Sequence, residues 1–208
     1  HSFEAWEDEA LVFGQTCGWP YWSRLRDKVA LIATPSYAVG GFAGHTYRSC
    51  FIVPEYSPWE TLSDCREAVI AVNSDCSQSG NRAIQDAVIS QAPEIVETIS
   101  VQLSGGHAKS VEMVATGQAN LASIDCVSWH WAQASFPALT DKVKIIGWSR
   151  PAPGLPLVCA KAFAERIPAY RQILADAPKE LLAALAISGF AALEEQDYAE
   201  MMLFKSVA

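Results

Sequence analysis

Two segments of the sequence place hydroxyl, amide and imidazole groups directly after apolar runs: "VNSDCSQSGN" (72–81) and "QLSGGHAKS" (102–110). The groups with binding chemistry are Ser77, Gln78, Ser79 and Gly80 in the first segment and Gly106 and His107 in the second. Unpaired amides and the positive end of the helix dipole make helix starts suitable for anions. Taken singly, each segment is explained by helix capping, for which Ser, Asp and Asn are preferred. Taken together, they predict a shared anion site.

Four other polar residues follow apolar runs and complete the candidate set: Gln15, Thr16, Tyr37 and Asp125. Tyr37 fits either a ligand contact or a partly buried aromatic with its hydroxyl in water. Asp125 fits either the cap of the next helix or a counter-charge for an ammonium group on the ligand. His107 fits either a donor to a phosphoryl oxygen or an ordinary residue of a first helical turn.

Short apolar runs alternate with segments of helical periodicity, which predicts an α/β fold with a mostly parallel sheet. The predicted strands are residues 10–14, 29–35, 49–54, 68–73, 99–104, 121–125, 142–148 and 155–160. Helices are predicted at 82–91 and 108–116, and from Ala160 onward the chain is predicted to be helical throughout, with 181–193 a buried helix running into a turn. Ligands bind at the carboxyl ends of parallel strands, where both segments lie.

Two connections rich in glycine or proline, residues 40–49 and 149–156, are predicted crossings between lobes. The predicted first lobe comprises residues 1–53 plus 149–208, and the second comprises residues 54–148 and carries both anion segments. Because the chain crosses between the lobes twice, two strands are expected to join them and to form a hinge.

The composition favours a globular protein and excludes some partners. Half of the 208 residues are apolar, enough for one large domain or two small lobes. A formal charge of −8 with scattered Lys and Arg argues against binding of nucleic acid or an anionic membrane surface. The longest apolar stretch, residues 181–193, is too short to span a bilayer. Because the first residue is His and no leader precedes it, we expect a processed, truncated or partial chain.

Catalytic and metal motifs are sparse. The six cysteines form no C-x-x-C pair and have no His at ligand spacing, so no metal site is predicted. They are expected to be small core residues, although an oxidising compartment would permit disulfides whose pairing the sequence does not reveal. The chain has neither a G-x-S-x-G elbow nor a P-loop. Cys17 with one of the four histidines could form a thiol nucleophile pair in principle, but no local sequence feature supports it. An enzyme therefore ranks well behind a binding protein.

Several stretches together resemble a known family. In order from residue 11 to residue 163, "GQTCGWP", "LIATPSYAVGG", "AVNSDCSQSGNRAI", "SGGHAKSVEMVATGQANLASIDCVSW" and "GWSRPAPGLPLV" are similar to the periplasmic phosphate/phosphonate-binding proteins of ABC importers, in their shorter branch. The resemblance implies a type II periplasmic-binding-protein fold, with two α/β lobes joined by two hinge strands. It also implies a periplasmic location, a membrane permease as partner, and no cofactor.

The resemblance assigns roles to particular residues. The family's first anion loop falls on residues 77–80, where Gln78 replaces a hydroxyl sometimes found there, and the second falls on Gly106 and His107. Asp125 loosely matches a carboxylate that meets the ligand's amine. "RPAPGLP" replaces the aspartate of the return crossing, which argues against an aminophosphonate. Family members begin with a strand and helix upstream of "ALVFG", so the first lobe is expected to be incomplete.

The sequence therefore predicts a solute-binding protein, not an enzyme, that captures a phosphonate, phosphate or phosphate ester for an ABC importer. Lobe closure would bring Gln15, Thr16 and Tyr37 over the anion. The alternative of another class is a ligand-sensing domain of a regulator or signalling system with the same fold.

Overall fold

The computed structural model describes residues 3–206 and divides into two compact units. Unit 1 comprises the described residues up to Tyr47 together with Ala152–Leu203. Unit 2 comprises Arg48–Pro151 together with the described residues from Phe204 onward. Within residues 3–206 the chain therefore passes from one unit to the other three times, once more than the two crossings predicted from the sequence.

The elements of the described chain are short. The strands are β1 Gly14–Gln15, β2 Val29–Tyr37, β3 Phe42–Ala43, β4 Thr46–Tyr47, β5 Ser49–Pro54, β6 Val69–Val72, β7 Ser100–Leu103, β8 Leu121–Asp125, β9 Val143–Trp148, β10 Ala152–Pro153, β11 Leu157–Ala160 and β12 Ile187–Ala191. The α-helices are α1 Glu4–Glu7, α2 Gly18–Pro20, α3 Ala83–Gln91, α4 His107–Ala115, α5 Cys126–Ser135, α6 Pro137–Thr140, α7 Ile167–Ala175 and α8 Lys179–Ala184. Turns of π-helix lie at Tyr21–Leu25 and Gln78–Arg82, and turns of 3₁₀-helix lie at Leu62–Asp64, Pro93–Ile95, Lys161–Arg166 and Glu195–Leu203.

The sheet of unit 2 has the strand order β7-β6-β8-β5-β9. β6 pairs in parallel with both β7 and β8, whereas β5 pairs antiparallel with both β8 and β9. The parallel pairs are connected through α3 and α4, as a parallel connection requires. In this unit the prediction of a mostly parallel sheet is confirmed, with β5 as the reversed strand.

Both faces of the unit 2 sheet are covered by helices. Successive residues of β5 alternate between two apolar clusters: Phe51 packs in the cluster that contains Ile84 of α3, and Ile52 packs in the cluster that contains Val114 of α4 and Trp129 of α5. All six residues of β5 are buried. Strands covered on both faces become continuous apolar runs, which is why the sequence revealed them.

The sheets of unit 1 are antiparallel, and here the prediction of a mostly parallel sheet is wrong. One sheet has the order β1-β11-β2-β12 and the other has the order β10-β4-β3, with antiparallel pairing throughout the described strands. An apolar run indicates that a strand is buried, but it contains no information about strand direction. The predicted strand at residues 10–14 is also wrong in extent, because the structure has only β1 there.

The prediction that the chain is helical throughout from Ala160 is wrong at β12. Helix α8 ends at Ala184, Ala186 adopts a positive φ of 53°, and residues 187–191 pair with β2. Leu181 and Leu185 are exposed, so the predicted buried helix at 181–193 is wrong as well. The sequence "LLAALAISGFAAL" has high helix propensity, and the pairing with β2 overrides it.

We expect Ala186→Gly to stabilise the protein. A left-handed conformation disfavours a residue with a Cβ by about 1–2 kcal/mol, and part of this gain is offset by the greater freedom of glycine in the unfolded chain. The expected net gain of about 0.5–1 kcal/mol raises the melting temperature by roughly 1–4 °C. Ala183→Gly, inside α8, is the matched control and should lower stability by about 1 kcal/mol. A thermal melt in which Ala186→Gly lowers the midpoint would contradict the assignment of the helix end.

The end of the described chain is bound to unit 2. The Arg82 guanidinium donates to the Phe204 carbonyl at 2.6 Å, and the Lys205 amide donates to the Asp86 carboxylate at 2.9 Å. Phe204 is buried, and Arg150 lies over its ring. The tail therefore supports the start of α3.

The limits of the units differ from those predicted at three places. At the return crossing, residues 149–151 were assigned to the first lobe but belong to unit 2. The predicted limit at residue 53 assigned β5 to the first lobe, whereas β5 pairs with β8 and β9 and belongs to unit 2. The residues from Phe204 onward were also assigned to the first lobe. Across residues 3–206, every helix is too short or too polar to cross a bilayer.

Candidate anion-binding site

The ends of three parallel strands of unit 2 bring the predicted segments together. Val72 at the end of β6 is in register with Leu103 at the end of β7, and the Ser104 amide donates to the Val72 carbonyl at 2.8 Å. β8 pairs with the other side of β6 and ends at Asp125. The loops that follow these strands therefore leave the same edge of the sheet.

The first loop, residues 77–80, opens the π-helical turn that leads into α3. Ser77 caps this turn by accepting from the Gly80 amide at 3.1 Å. The Gln78 side chain is 1% exposed, and neither its amide nitrogen nor its amide oxygen has a hydrogen-bond partner among the described residues. Buried amides are normally satisfied, so the Gln78 amide is a candidate contact for a ligand bound at this loop.

The second loop, residues 104–107, opens α4. Gly106 is the N-cap residue with an extended backbone (φ 179°), and no side chain of the described part of the chain caps α4. The Ser104 hydroxyl accepts from the Gly106 amide at 3.4 Å and lies 2.7 Å from the Ser110 hydroxyl, which fixes the loop. The start of α4 therefore retains amides that an anion can use.

The two loops meet through their side chains. The Ser79 hydroxyl lies 2.9 Å from Nε2 of His107. Oδ2 of Asp125 lies 3.2 Å from the same nitrogen, and Oδ1 accepts from the Val127 and Ser128 amides at 3.0 and 2.8 Å. Asp125 therefore caps α5 and also holds the His107 ring.

The charge state of His107 follows from its environment. Burial lowers the pKa of the imidazole below its ordinary value, and the nearby Asp125 carboxylate opposes that effect in part. His107 is therefore neutral at neutral pH. A carboxylate can only accept, so the contact of Asp125 with Nε2 favours a proton on that nitrogen, whereas the Asn73 amide nitrogen, 3.4 Å from Nε2, can only donate to it.

Ser79, His107 and Asp125 are the residue types of a hydrolytic triad, but their geometry does not fit one. A triad places the serine on one ring nitrogen and the carboxylate on the other, so that a proton can pass along the chain. Here both oxygens approach Nε2. This arrangement holds the imidazole in place without activating the serine.

Two residues of this cluster were missed by the sequence analysis. Asn73 places Nδ2 3.4 Å from Nε2 of His107, and the Ser123 hydroxyl donates to the Ser79 carbonyl at 2.5 Å. Ser123 is a polar residue inside the buried strand β8, and that signal was available in "LASID". Asn73 directly follows β6 in the quoted segment.

The other predicted residues lie in unit 1. The Gln15 amide donates to the Leu155 carbonyl at 3.3 Å, and Thr16 is buried beside it. Tyr37 ends β2, and its ring packs edge-on against Phe42. Gln15 aligns through β11 with Ala33, so Tyr37 lies about 13 Å further along β2. Within unit 1, the structure therefore keeps Gln15 and Thr16 together and Tyr37 apart from them.

Cysteine chemistry and metal binding contribute little to this site. All six cysteines are free thiols, and four of them are buried. Burial raises the pKa of the Cys126 thiol, next to Asp125, to about 11. In the part of the chain that the structure describes, no three His, Cys, Asp or Glu side chains come together as metal ligands.

The family model described as "ABC transporter, phosphonate, periplasmic substrate-binding protein" matches residues 2–198. The chain belongs to this family. It is therefore a periplasmic phosphonate-type substrate-binding protein of an ABC transporter. The members of this family are solute-binding proteins, not enzymes. A search of curated proteins returned no match.

Solved structures show the same α/β fold, that of the type II periplasmic binding proteins. A binding-protein component of an ABC phosphonate transporter from Pseudomonas aeruginosa is 17% identical with a TM-score of 0.73, over 92% of this chain and 68% of that one. PhnD1 from Prochlorococcus marinus in complex with methylphosphonate is 14% identical with a TM-score of 0.68, over 85% and 70%. A Xanthomonas citri protein bound to ATP is 16% identical with a TM-score of 0.67, over 91% and 74%.

Proposed function

We propose that the protein binds a small oxyanion, foremost a phosphonate and otherwise phosphate or a phosphate ester, and delivers it to the membrane permease of its importer. The observation that carries the proposal is the meeting of Ser79 and His107, 2.9 Å apart, beside the uncapped start of α4. The complex of the structural relative PhnD1 with methylphosphonate supports the choice of ligand class.

In this proposal the anion is bound by uncharged donors. The amides at the start of α4, the Ser79 hydroxyl and the Gln78 amide supply hydrogen bonds, and the helix dipole supplies positive potential. The conformation of the two loops is set by Ser77, Gly80, Gly106, His107 and Asp125. Donors without a fixed cation hold the anion reversibly, as transport requires.

The proposed set also includes Gln15, Thr16 and Tyr37 of unit 1, and it takes the two units as the lobes of a hinged binding protein. A ligand shifts an open–closed equilibrium only by the additional contacts it makes in the closed form. Tyr37→Phe, which removes a single hydroxyl, tests whether that residue contributes to affinity.

The binding test is a thermal-shift and calorimetric screen against phosphate, phosphite, methylphosphonate and a phosphate monoester. At a concentration 100 times Kd, a ligand stabilises the protein by about 2.7 kcal/mol, or roughly 5–10 °C in melting temperature. Ser79→Ala combined with Gly106→Val should abolish the shift. The unliganded fold should persist, because a Cβ at Gly106 meets open space among the described residues and its backbone is extended.

The matched control for that double variant is Gly40→Val with Ser135→Ala. Gly40 likewise has open space around its Cβ position within the described chain, and Ser135 is an exposed residue at the end of α5. The control should retain the full ligand-induced shift. If the Ser79/Gly106 variant also retains it, the two loops are not the anion site.

A further inference from the structure

The first anion loop lies in a turn of π-helix, and Arg82 is the residue that closes it. The Arg82 amide donates to the Ser77 carbonyl at 3.1 Å, and the next amide, that of Ala83, donates to the Gln78 carbonyl. Turns of π-helix are rare, occur mostly as single turns and often lie at functional sites. The positions of the Ser79 hydroxyl and the Gln78 amide therefore depend on how Arg82 is held.

The side chain of Arg82 is held by the tail, Phe204 and Lys205. Nη2 of Arg82 donates to the Phe204 carbonyl at 2.6 Å. One turn further along α3, Oδ1 of Asp86 accepts from the Lys205 amide at 2.9 Å. Each bond pairs a charged side chain with the backbone of the tail, and such charge-assisted bonds are roughly twice as strong as neutral ones. The main chain of the tail therefore holds both side chains at the start of α3.

The groups that make this contact are largely shielded from water. Asp86 is 5% exposed, and burial lowers the pKa of the Arg82 guanidinium while the nearby Asp86 carboxylate opposes that effect. Phe204 is 3% exposed, and Arg150 lies over its ring. A buried charge that loses a hydrogen-bond partner is strongly unfavourable. If the tail detaches, Asp86 loses a donor and Arg82 loses an acceptor. Both side chains are then expected to move towards water, which shifts the turn that carries the first anion loop.

We propose that the tail is a positioning element of the anion site, which acts through Arg82 and Asp86 on Ser79 and Gln78 and raises the affinity for the oxyanion. This inference rests on the proposed function and adds positioning residues to that site. Coupling between two binding events is reciprocal. A ligand at the first loop must therefore strengthen the attachment of the tail by the same factor by which the tail strengthens binding of the ligand.

The first test measures hydrogen exchange of the Lys205 amide by NMR, with and without saturating methylphosphonate. This amide exchanges when the tail detaches, a local opening that needs no global unfolding. We expect methylphosphonate to slow its exchange about tenfold, within the usual range for coupling between sites. The Asp141 amide, which donates to the Pro137 carbonyl at the end of α6, is the control and should exchange equally fast with and without ligand.

The second test is Phe204→Ala, a substitution outside both anion loops. Loss of the buried ring should detach the tail and raise the Kd for methylphosphonate about tenfold. This factor should equal the factor by which methylphosphonate slows Lys205 exchange in the wild-type protein, because the coupling is reciprocal. Met202→Ala is the matched control, since Met202 is 67% exposed and lies in unit 1, two residues before Phe204. It should bind methylphosphonate like the wild-type protein.

Asp86→Asn and Asp86→Leu separate the tail contact from the packing of α3. The amide oxygen of asparagine can still accept from the Lys205 amide, so Asp86→Asn should keep an affinity within about threefold of that of the wild-type protein. Leucine has a similar size but no acceptor, so Asp86→Leu should lose about as much affinity as Phe204→Ala does. Equal affinities of the two Asp86 variants would contradict the proposal.

The outcomes distinguish this inference from the proposed function. If methylphosphonate binds but leaves Lys205 exchange unchanged, the inference is overturned and the proposed function stands. A loss of affinity in Phe204→Ala together with unchanged Lys205 exchange in the wild-type protein would indicate structural damage alone and would equally overturn it. The exchange measurement needs no variant, so it decides the inference even if Phe204→Ala does not fold. Absence of binding of every oxyanion tested would contradict both proposals.

Discussion

Gly80→Ala is expected to abolish oxyanion binding and to destabilise the unliganded protein. A Cβ at this position would lie 2.7 Å from Cγ of Asn73 and 3.1 Å from Cε1 of His107. Both side chains belong to the cluster that holds the loops together, and overpacking of this kind typically destabilises a protein by about 1–3 kcal/mol. A shift of the first loop also misplaces the Ser79 hydroxyl and the Gln78 amide, the two donors that this loop offers to the anion. A hydrogen bond to a charged group contributes roughly 1.5–3 kcal/mol, so the loss of both corresponds to a loss of affinity of about 100-fold or more. Calorimetry with methylphosphonate and a thermal melt measure the two effects.

Gly106→Ala is the matched glycine substitution for this experiment. Its Cβ has no neighbour within 4 Å in the described structure, and its extended backbone accepts any residue. Its melting temperature should therefore stay close to that of the wild-type protein. A Gly80→Ala protein with unchanged affinity and stability would contradict the packing of the first loop against Asn73 and His107.

His107→Ala is expected to have the second largest effect. The substitution removes the donor that serves both Oδ2 of Asp125 and the Ser79 hydroxyl. A buried acceptor left without its partner destabilises a protein by about 1–3 kcal/mol, more when it is charged. We expect a lower melting temperature and a loss of methylphosphonate affinity of about 100-fold, since both loops lose their shared contact.

His107→Gln tests whether binding depends on the N–H donor or on the imidazole ring, because the glutamine amide can replace the N–H of Nε2 but has no ring. It should recover part of the affinity that His107→Ala loses. His130→Ala, at an exposed position on α5, is the control and should bind like the wild-type protein. If His107→Ala binds methylphosphonate as tightly as His130→Ala does, His107 has no part in the site.

The buried strands were the most predictable part of the fold. β5 and β8 have the limits predicted from the sequence, because their apolar runs stop at polar residues or at proline. β12 could not be predicted in this way, since it lies within the alanine-rich stretch 181–193, which favours a helix, and pairing with the distant strand β2 makes it extended. The antiparallel pairing in unit 1 could not be predicted for a similar reason, because the direction of a strand relative to its neighbours depends on partners far away in the sequence.

The candidate site was predictable where it depends on topology. Parallel strands whose ends lie at one edge bring residues 77–80 and 104–107 together, so the proximity of Ser79 and His107 could be expected without coordinates. The contacts of Asn73 and Ser123 depend on side-chain geometry within the cluster, which no spacing rule describes. For Asp125, capping of α5 was one of the two predicted alternatives, but its contact with His107 was not predicted.

The pairing of β2 has a consequence for how the chain is made. β2 is complete at residue 37, but its two neighbours are residues 157–160 and 187–191, so both of its edges stay open while the ribosome adds more than a hundred residues. Open strand edges are templates for aggregation, and late closure of such contacts slows folding. Unit 2 lies almost entirely between these segments, so it can assemble first, and nascent chains that stall before residue 160 should be the ones most in need of a chaperone.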